Sequence, residues 1–121
     1  MNWIKLNSIE QLAEIKKASK FKPVLVFKHS TTCSISKTSL NRLERNWKEE
    51  ELDDTKAYYL DLLSYRAISQ EIARTFDVEH QSPQVLIIQN EKLVYDISHF
   101  DIDYATIKNV LAKLNSLSVK N

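Results

Sequence analysis

Along the chain, short apolar runs rich in β-branched residues alternate with segments in which apolar residues recur at helical spacing. This alternation favours an α/β fold above all others. The run "PVLVF" at 23–27 is typical of a strand buried on both faces, and "KAYYLDLLS" and "QVLIIQ" indicate two more strands. A short extended segment, "NWIKL", precedes them. The run "LVYDIS" follows "QVLIIQ" after only "NEK", so these two strands should form an antiparallel hairpin.

Between the strands, apolar residues recur at helical spacing. Ser8 and Gln11 resemble a capping box that opens a first helix from Ile9 to about Ser19, with Ile9 on its apolar face. The later stripes consist of Leu40, Leu43 and Trp47, then Ala67, Ile68, Ile72 and Phe76, and finally Tyr104, Ile107, Leu111 and Leu114. The resulting order, β-α-β-α-β-α-β-β-α, predicts a mixed central sheet, because crossover helices imply right-handed parallel pairings and the hairpin adds an antiparallel one.

Length and composition restrict the classes of function. The 121 residues suffice for one hydrophobic core, so we predict a single domain spanning 1–121. The chain has no glycine, which nearly excludes phosphate-binding and dinucleotide loops and leaves tight turns to residues such as Asn90. Lys plus Arg number 17 against 16 Asp plus Glu, and this balance predicts neither a nucleic-acid nor a membrane partner.

The cellular location follows from what the sequence lacks. The N-terminus shows no secretory signal pattern, and no apolar stretch approaches the length that spans a bilayer. A single cysteine cannot form an intramolecular disulfide, which agrees with a reducing compartment. We therefore expect a cytoplasmic protein, and a monomer.

The only cysteine, Cys33, lies in "FKHSTTCSIS", where the second strand gives way to the second helix. Most lone cytosolic cysteines are buried structural thiols, and that interpretation is the alternative here. The hydroxyl residues around Cys33 make an apolar pocket improbable, and a helix N-terminus stabilises a thiolate. Ligands of open α/β sheets also bind at the carboxyl ends of strands. The pattern favours a reactive thiol.

Three neighbours of Cys33 are candidates for supporting roles. Ser36 lies one helical turn further on, so its hydroxyl could donate a hydrogen bond to the thiolate or could simply serve the helix start. Lys28 could favour the thiolate or contact the carboxylates of a small thiol, or it could be a strand-end residue that extends to solvent. His29 is a weaker candidate for the same task. No metal is expected, since no local spacing brings Cys33 together with the three histidines.

The arrangement resembles the thioredoxin fold, with a cysteine after a central strand at a helix N-terminus and a proline, Pro83, before a later strand. That fold is a three-layer α/β/α sandwich whose usual motif is Cys-x-x-Cys, whereas Cys33-Ser34-Ile35-Ser36 retains only the first thiol. More closely, "TTCSIS", "LDLLSYRAISQEIARTFDVEHQSPQVLII" and "SHFDI" resemble the monothiol bacilliredoxin family of bacillithiol-using bacteria. Ser34 stands where we would expect proline in that family.

The resemblance implies a function and a set of site residues. Members remove bacillithiol from mixed disulfides on client proteins, with bacillithiol as co-substrate and no tightly bound cofactor. The Ser82–Pro83 bond would be cis, so that Ser82 offers backbone groups to a substrate, although a proline that merely begins a strand is the alternative. The implied catalytic residues are Cys33 and Ser36, and the implied substrate-binding residues are Lys28, Thr32, Ser34, Ser82 and Pro83.

Two other functions remain open on the sequence. An iron–sulfur carrier of the monothiol glutaredoxin type would share one cluster between protomers, because a single Cys33 supplies too few thiolates. A non-catalytic binding module would retain the fold and have an unreactive Cys33.

Overall fold

The computed structural model describes residues 1–52 and 55–120, with side chains described through residue 115. Within this part of the chain the strands are β1 (Trp3–Lys5), β2 (Val24–His29), β3 (Lys56–Asp61), β4 (Gln84–Gln89) and β5 (Lys92–Ser98). The α-helices are α1 (Gln11–Ser19), α2 (Ser34–Asn46), α3 (Arg66–Thr75) and α4 (Tyr104–Lys120), and short 3-10 helices lie at Glu49–Glu51 and His99–Asp101. The predicted order of strands and α-helices is confirmed.

The strands form one mixed sheet in the order β1-β3-β2-β4-β5. As predicted, β3 pairs in parallel with both β1 and β2, and β4 with β5 is an antiparallel hairpin. The direction of β4 differs from the crossover rule, because β4 runs antiparallel to β2, with Lys28 opposite Gln84. Residues 76–83 lead from α3 back to the end of the sheet at which β2 and β3 finish. The strand β4 therefore starts at that end and runs in the opposite direction to β2.

Helices cover both faces of the sheet, which gives the expected α/β/α sandwich. Side chains of α1 and α3 pack on one face and those of α2 and α4 on the other. The alternation along β2 supplies both cores, since Val24 and Val26 point to the α1/α3 side while Leu25 and Phe27 point to the α2/α4 side. All six residues of β2 are buried, so the predicted doubly buried strand is confirmed.

The start of α1 differs from the prediction. The helix begins at Gln11, not Ile9, and the side chain of Ile9 is 48% exposed. The Oε1 atom of Gln11 accepts hydrogen bonds from the N–H groups of Asn7 and Ser8, at 2.7 and 3.0 Å, so the predicted pair forms but holds residues 7–10 in a turn. In the part of the chain that is described, no helix has the length and apolar character that crossing a bilayer requires.

Turns form without glycine because other residues adopt positive φ. Asn90 does so between β4 and β5, with φ of 52°, as expected. Its N–H donates to the carbonyl of Ser19 at 2.8 Å, which ties the hairpin to the end of α1. Asp77, Glu91 and His99 also have positive φ, and the sequence did not single out these three.

Candidate active site

The backbone places Cys33 at the N-cap position of α2, directly after the loop that leaves β2. Its N–H donates to the carbonyl of Ser30 at 3.2 Å, and its own carbonyl accepts from the N–H of Lys37 at 3.0 Å. An N-cap side chain ordinarily accepts hydrogen bonds from the N–H groups of the first turn, and in the described part of the chain no side-chain hydrogen bond caps α2. The sulfur therefore lies where the positive end of α2 favours an anion.

The thiol is accessible to a reaction partner. Cys33 is half-buried, and both Thr32 and Ser34 beside it are exposed. The hydroxyl oxygens of Ser30 and Thr32 lie 3.4 Å apart, which orders the loop before the thiol. The interpretation of Cys33 as a sealed structural thiol does not fit this exposure.

Pro83 lies at the same edge of the sheet as the cysteine loop. The Ser82–Pro83 bond is cis, as the resemblance implied. The carbonyl of Pro83 accepts a hydrogen bond from the N–H of His99 at 3.0 Å, and the hydroxyl of Ser39 in α2 donates to the carbonyl of His99 at 3.1 Å. The His99 backbone thus joins the proline to the helix that carries Cys33. Among the described residues, the buried hydroxyl of Ser82 has no hydrogen-bond partner.

The hydroxyl of Ser36 makes contacts other than the one considered from the sequence. Ser36 is fully buried, its Oγ lies 2.6 Å from Nδ1 of His29, and it accepts a hydrogen bond from the N–H of Ser30 at 3.1 Å. No hydrogen bond joins this hydroxyl to the Cys33 sulfur in the described part of the chain. Ser36 therefore fastens the first turn of α2 to the end of β2.

His29 lies closer to the cysteine loop than its place as a weaker candidate in the sequence indicates. Its ring is buried beneath the cysteine loop, 5.6 Å from the ring of Tyr59 between centroids. Burial lowers the pKa of His29, although the carboxylates of Asp61 and Glu44 act in the opposite direction. The strand alternation was the available signal, because it puts His29 on the same face as Phe27, toward α2.

We expect Ser36→Ala to reduce stability more than thiol reactivity. The substitution leaves Nδ1 of His29 and the N–H of Ser30 unpaired in a buried place, so the free energy of unfolding should fall by about 1–3 kcal/mol. The alkylation rate of Cys33 at neutral pH should stay within about twofold of wild type, because among the described residues this hydroxyl is engaged by His29 and Ser30 and not by the sulfur. Urea unfolding and iodoacetamide kinetics measure the two effects.

Ser34→Ala is the matched control for that experiment, since Ser34 is exposed in the same helical turn. It should leave both quantities unchanged. A large loss of alkylation rate in Ser36→Ala, with stability unchanged, would instead assign the hydroxyl a direct role at the sulfur.

Lys28 lies on the opposite face of the sheet from His29 and α2. It is fully buried, and its ammonium donates to Nδ1 of His80 at 2.7 Å. No carboxylate lies within ion-pair distance of Lys28 among the described residues, and burial lowers the pKa of Lys28 from its ordinary 10.5 to about 8. The ammonium therefore does not extend to solvent, which was one of the two interpretations, and it lies on the other face of the sheet from the one on which Cys33 begins α2.

Lys28→Met should stabilise the protein at neutral pH, since it removes a buried charge and retains the volume. Replacing buried charges by apolar groups is often stabilising, and we expect about 1–3 kcal/mol at pH 7. The folded-state pKa of about 8 lies below the ordinary 10.5, so between these values the unfolded state binds more protons and wild-type stability should rise with pH. The advantage of Lys28→Met should therefore shrink from pH 8 upward. Urea unfolding at pH 7 and pH 9.5 measures the change, and a pH-independent difference would contradict this account.

Metal ligation finds no structural support among the described residues, where no group of three or more His, Cys, Asp or Glu side chains converges on a common point. His29 and His80 lie on opposite faces of the sheet, paired with Ser36 and Lys28 respectively.

Solved structures with the same architecture define the class. A solved structure with a thioredoxin fold is 33% identical to this chain, with a TM-score of 0.75, over 88% of this chain and 90% of that one. Thioredoxin from Malassezia sympodialis is 15% identical to this chain, with a TM-score of 0.73, over 94% of this chain and 91% of that one. Thioredoxin from Trypanosoma brucei brucei is 18% identical, with a TM-score of 0.69, over 99% of this chain and 93% of that one. The fold is thioredoxin-like, as predicted, and the site is that of a thiol–disulfide oxidoreductase with one thiol.

A family model narrows this class further. The model described as monothiol bacilliredoxin BrxC matches residues 4–107, and the chain belongs to this family. The resemblance drawn from "TTCSIS" and "SHFDI" is thereby confirmed.

Proposed function

We propose that this protein removes bacillithiol from mixed disulfides on client proteins by thiol–disulfide exchange at Cys33. The observation that carries the proposal is the position of the only cysteine, half-exposed at the N-cap of α2. Membership of the monothiol bacilliredoxin family supports the choice of bacillithiol as the thiol that is transferred.

The exchange is a single displacement at sulfur. The Cys33 thiolate attacks the bacillithiol sulfur in line, the client–bacillithiol bond breaks, and the client leaves as a thiolate that takes a proton from water. A new disulfide joins Cys33 to bacillithiol. One disulfide bond is exchanged for another, so no net oxidation occurs and no metal or nucleotide is required.

Residues around the thiol position the substrate. Thr32 and Ser34 are exposed on either side of Cys33 and form the rim that a mixed disulfide must pass. Ser82, next to Pro83, offers backbone groups to an extended client segment in the manner of strand addition.

The loaded protein needs an external thiol to regenerate it. Ser36 has no sulfur, and its hydroxyl is engaged by His29 and Ser30. Free bacillithiol or another redox protein would attack the mixed disulfide on Cys33 and release the bound thiol. Until then the adduct should persist.

A single-turnover assay with a bacillithiolated client tests the proposal. One equivalent of reduced protein should take up one bacillithiol, with an equal amount of client thiol appearing. An unreactive thiol would overturn the proposal and favour the binding module. A coloured dimer with cluster absorption and no transfer would favour the iron–sulfur carrier.

A further inference from the structure

Phe100 is a large apolar side chain that is 68% exposed in the turn after β5. Exposure alone does not mark a binding surface, since single exposed hydrophobic residues are common and Phe21 is 75% exposed. The two phenylalanines differ in place. Phe21 precedes β2, whereas β5 brings Phe100 to the end of the sheet at which β2 finishes, because Ser98 lies opposite Gln84 and Gln84 opposite the end of β2.

The backbone around Phe100 is held in one conformation. The N–H of His99 donates to the carbonyl of Pro83, and the carbonyl of His99 accepts from the hydroxyl of Ser39 in α2. The guanidinium of Arg42, also in α2, donates to the carbonyl of Phe100 at 3.1 Å. His99 has a φ of 56°, a left-handed conformation that is unfavourable for a residue with a Cβ atom. The turn is thus fastened to the helix that Cys33 begins, while the Phe100 ring faces solvent.

Ile35 extends the apolar surface toward the thiol. It lies two residues after Cys33 and is half-buried. Ile35, Ser39 and Arg42 follow one another at intervals of four and three residues, which places them on one face of α2. Ser39 and Arg42 are the residues that bond to the turn after β5. Ile35 therefore lies on the face of α2 along which this turn runs, one helical turn closer to the N-terminus than Ser39.

A protein that brings a disulfide to Cys33 must cover this face of α2. A typical interface buries about 800 Å² on each partner, which corresponds to a patch of roughly 15 Å in radius. Ser39 lies only about 9 Å from Cys33 along the helix axis, at 1.5 Å per residue. The turn bonded to Ser39 therefore falls within the surface that a client buries. Aromatic residues are among those that contribute most to such surfaces.

We propose that Ile35 and Phe100 form an apolar surface that binds apolar side chains of the client protein next to its modified cysteine. The occupant is an extended segment of the client, so the proposal rests on the proposed function. Backbone groups of Ser82 would hold the main chain of this segment whatever its sequence. The apolar surface would select among clients, because it favours those with large apolar residues beside the cysteine.

Two peptides that differ only beside their cysteine test this surface with the full-length protein. Leucines flank the cysteine in one peptide and serines in the other, and both cysteines are mixed disulfides with thionitrobenzoate. Attack by the Cys33 thiolate joins Cys33 to the peptide cysteine and releases the coloured thionitrobenzoate anion. Each rate is divided by the rate of the same peptide with free cysteine. Below saturation, wild type should react at least about fivefold faster with the leucine peptide, as expected for one well-placed apolar contact.

Phe100→Ala should reduce this preference to less than about twofold, and Phe100→Leu should retain most of it, because leucine keeps an apolar side chain at this place. Neither substitution should change the rate with dipyridyl disulfide, a small disulfide that needs no docking surface. Phe21→Ala is the matched control, since it removes an equally exposed phenylalanine at the opposite end of β2. This control should retain the wild-type preference.

Three results would overturn the proposal. They are equal rates of wild type with the two peptides, equal losses of preference in Phe100→Ala and Phe21→Ala, and a slower reaction of Phe100→Ala with dipyridyl disulfide, which would place the effect on the thiol itself. Neither peptide contains bacillithiol. A protein that prefers the leucine peptide but takes no bacillithiol from a client would therefore contradict the proposed function and leave this surface supported.

Discussion

Cys33→Ser should abolish bacillithiol transfer, leaving no client thiol above the background of buffer alone. A serine hydroxyl is far less acidic than a thiol and forms no disulfide, so neither the attack nor the mixed disulfide is available. The assay is the single-turnover transfer from a bacillithiolated client, followed by intact mass of both proteins.

The fold of this variant should be unaffected, which makes the loss specific to chemistry. Cys33 is half-buried at a helix N-cap, a position that serine favours. Thermal unfolding should therefore match wild type or exceed it slightly. Residual transfer by Cys33→Ser would mean that the reaction does not pass through this sulfur.

Ser36→Cys should convert the protein from one that holds bacillithiol to one that releases it. The new thiol would lie one helical turn from Cys33, beside the imidazole of His29, which can accept its proton. Attack on the loaded Cys33 should release bacillithiol and leave an intramolecular disulfide between Cys33 and the introduced thiol, provided that the sulfurs reach disulfide geometry. Intact mass should show loss of the adduct and of two hydrogens.

Ser39→Cys is the matched control for this gain of function. Ser39 is also buried on α2 but lies a further turn from Cys33, beyond the reach of a disulfide. It should retain the adduct as wild type does. Release of bacillithiol by both variants at the same rate would show that any added thiol suffices, and the geometric argument for Ser36 would be wrong.

The order of elements could be predicted from the sequence because several residues in each helix or strand carry the same hydrophobic pattern. The run at 23–27 is continuously apolar, and α3 carries apolar residues at helical spacing, so neither assignment depends on one residue. The direction of β4 could not be predicted in this way. That direction depends on residues 76–83, which have no periodic pattern. They lead the chain back to the end of the sheet at which β2 and β3 finish.

The chemistry of the site was predictable only where it depends on chain position. Cys33 follows a strand and opens a helix, and both features can be read locally. The pairings of Ser36 with His29 and of Lys28 with His80 depend on which sheet face each side chain occupies and on what packs there. Lys28 and His29 are adjacent in sequence, yet their side chains point to opposite faces of the sheet. Strand alternation explains this once the helices that cover each face are known.

The most direct test of the account is the intact mass of this protein isolated from bacillithiol-producing cells after oxidant stress. We expect a single adduct with the mass of bacillithiol, located on Cys33 by peptide mapping, absent from Cys33→Ser and removed only when an external thiol is added. A protein that stays unmodified under stress, or that loses its adduct after purification with no thiol present, would contradict the monothiol mechanism.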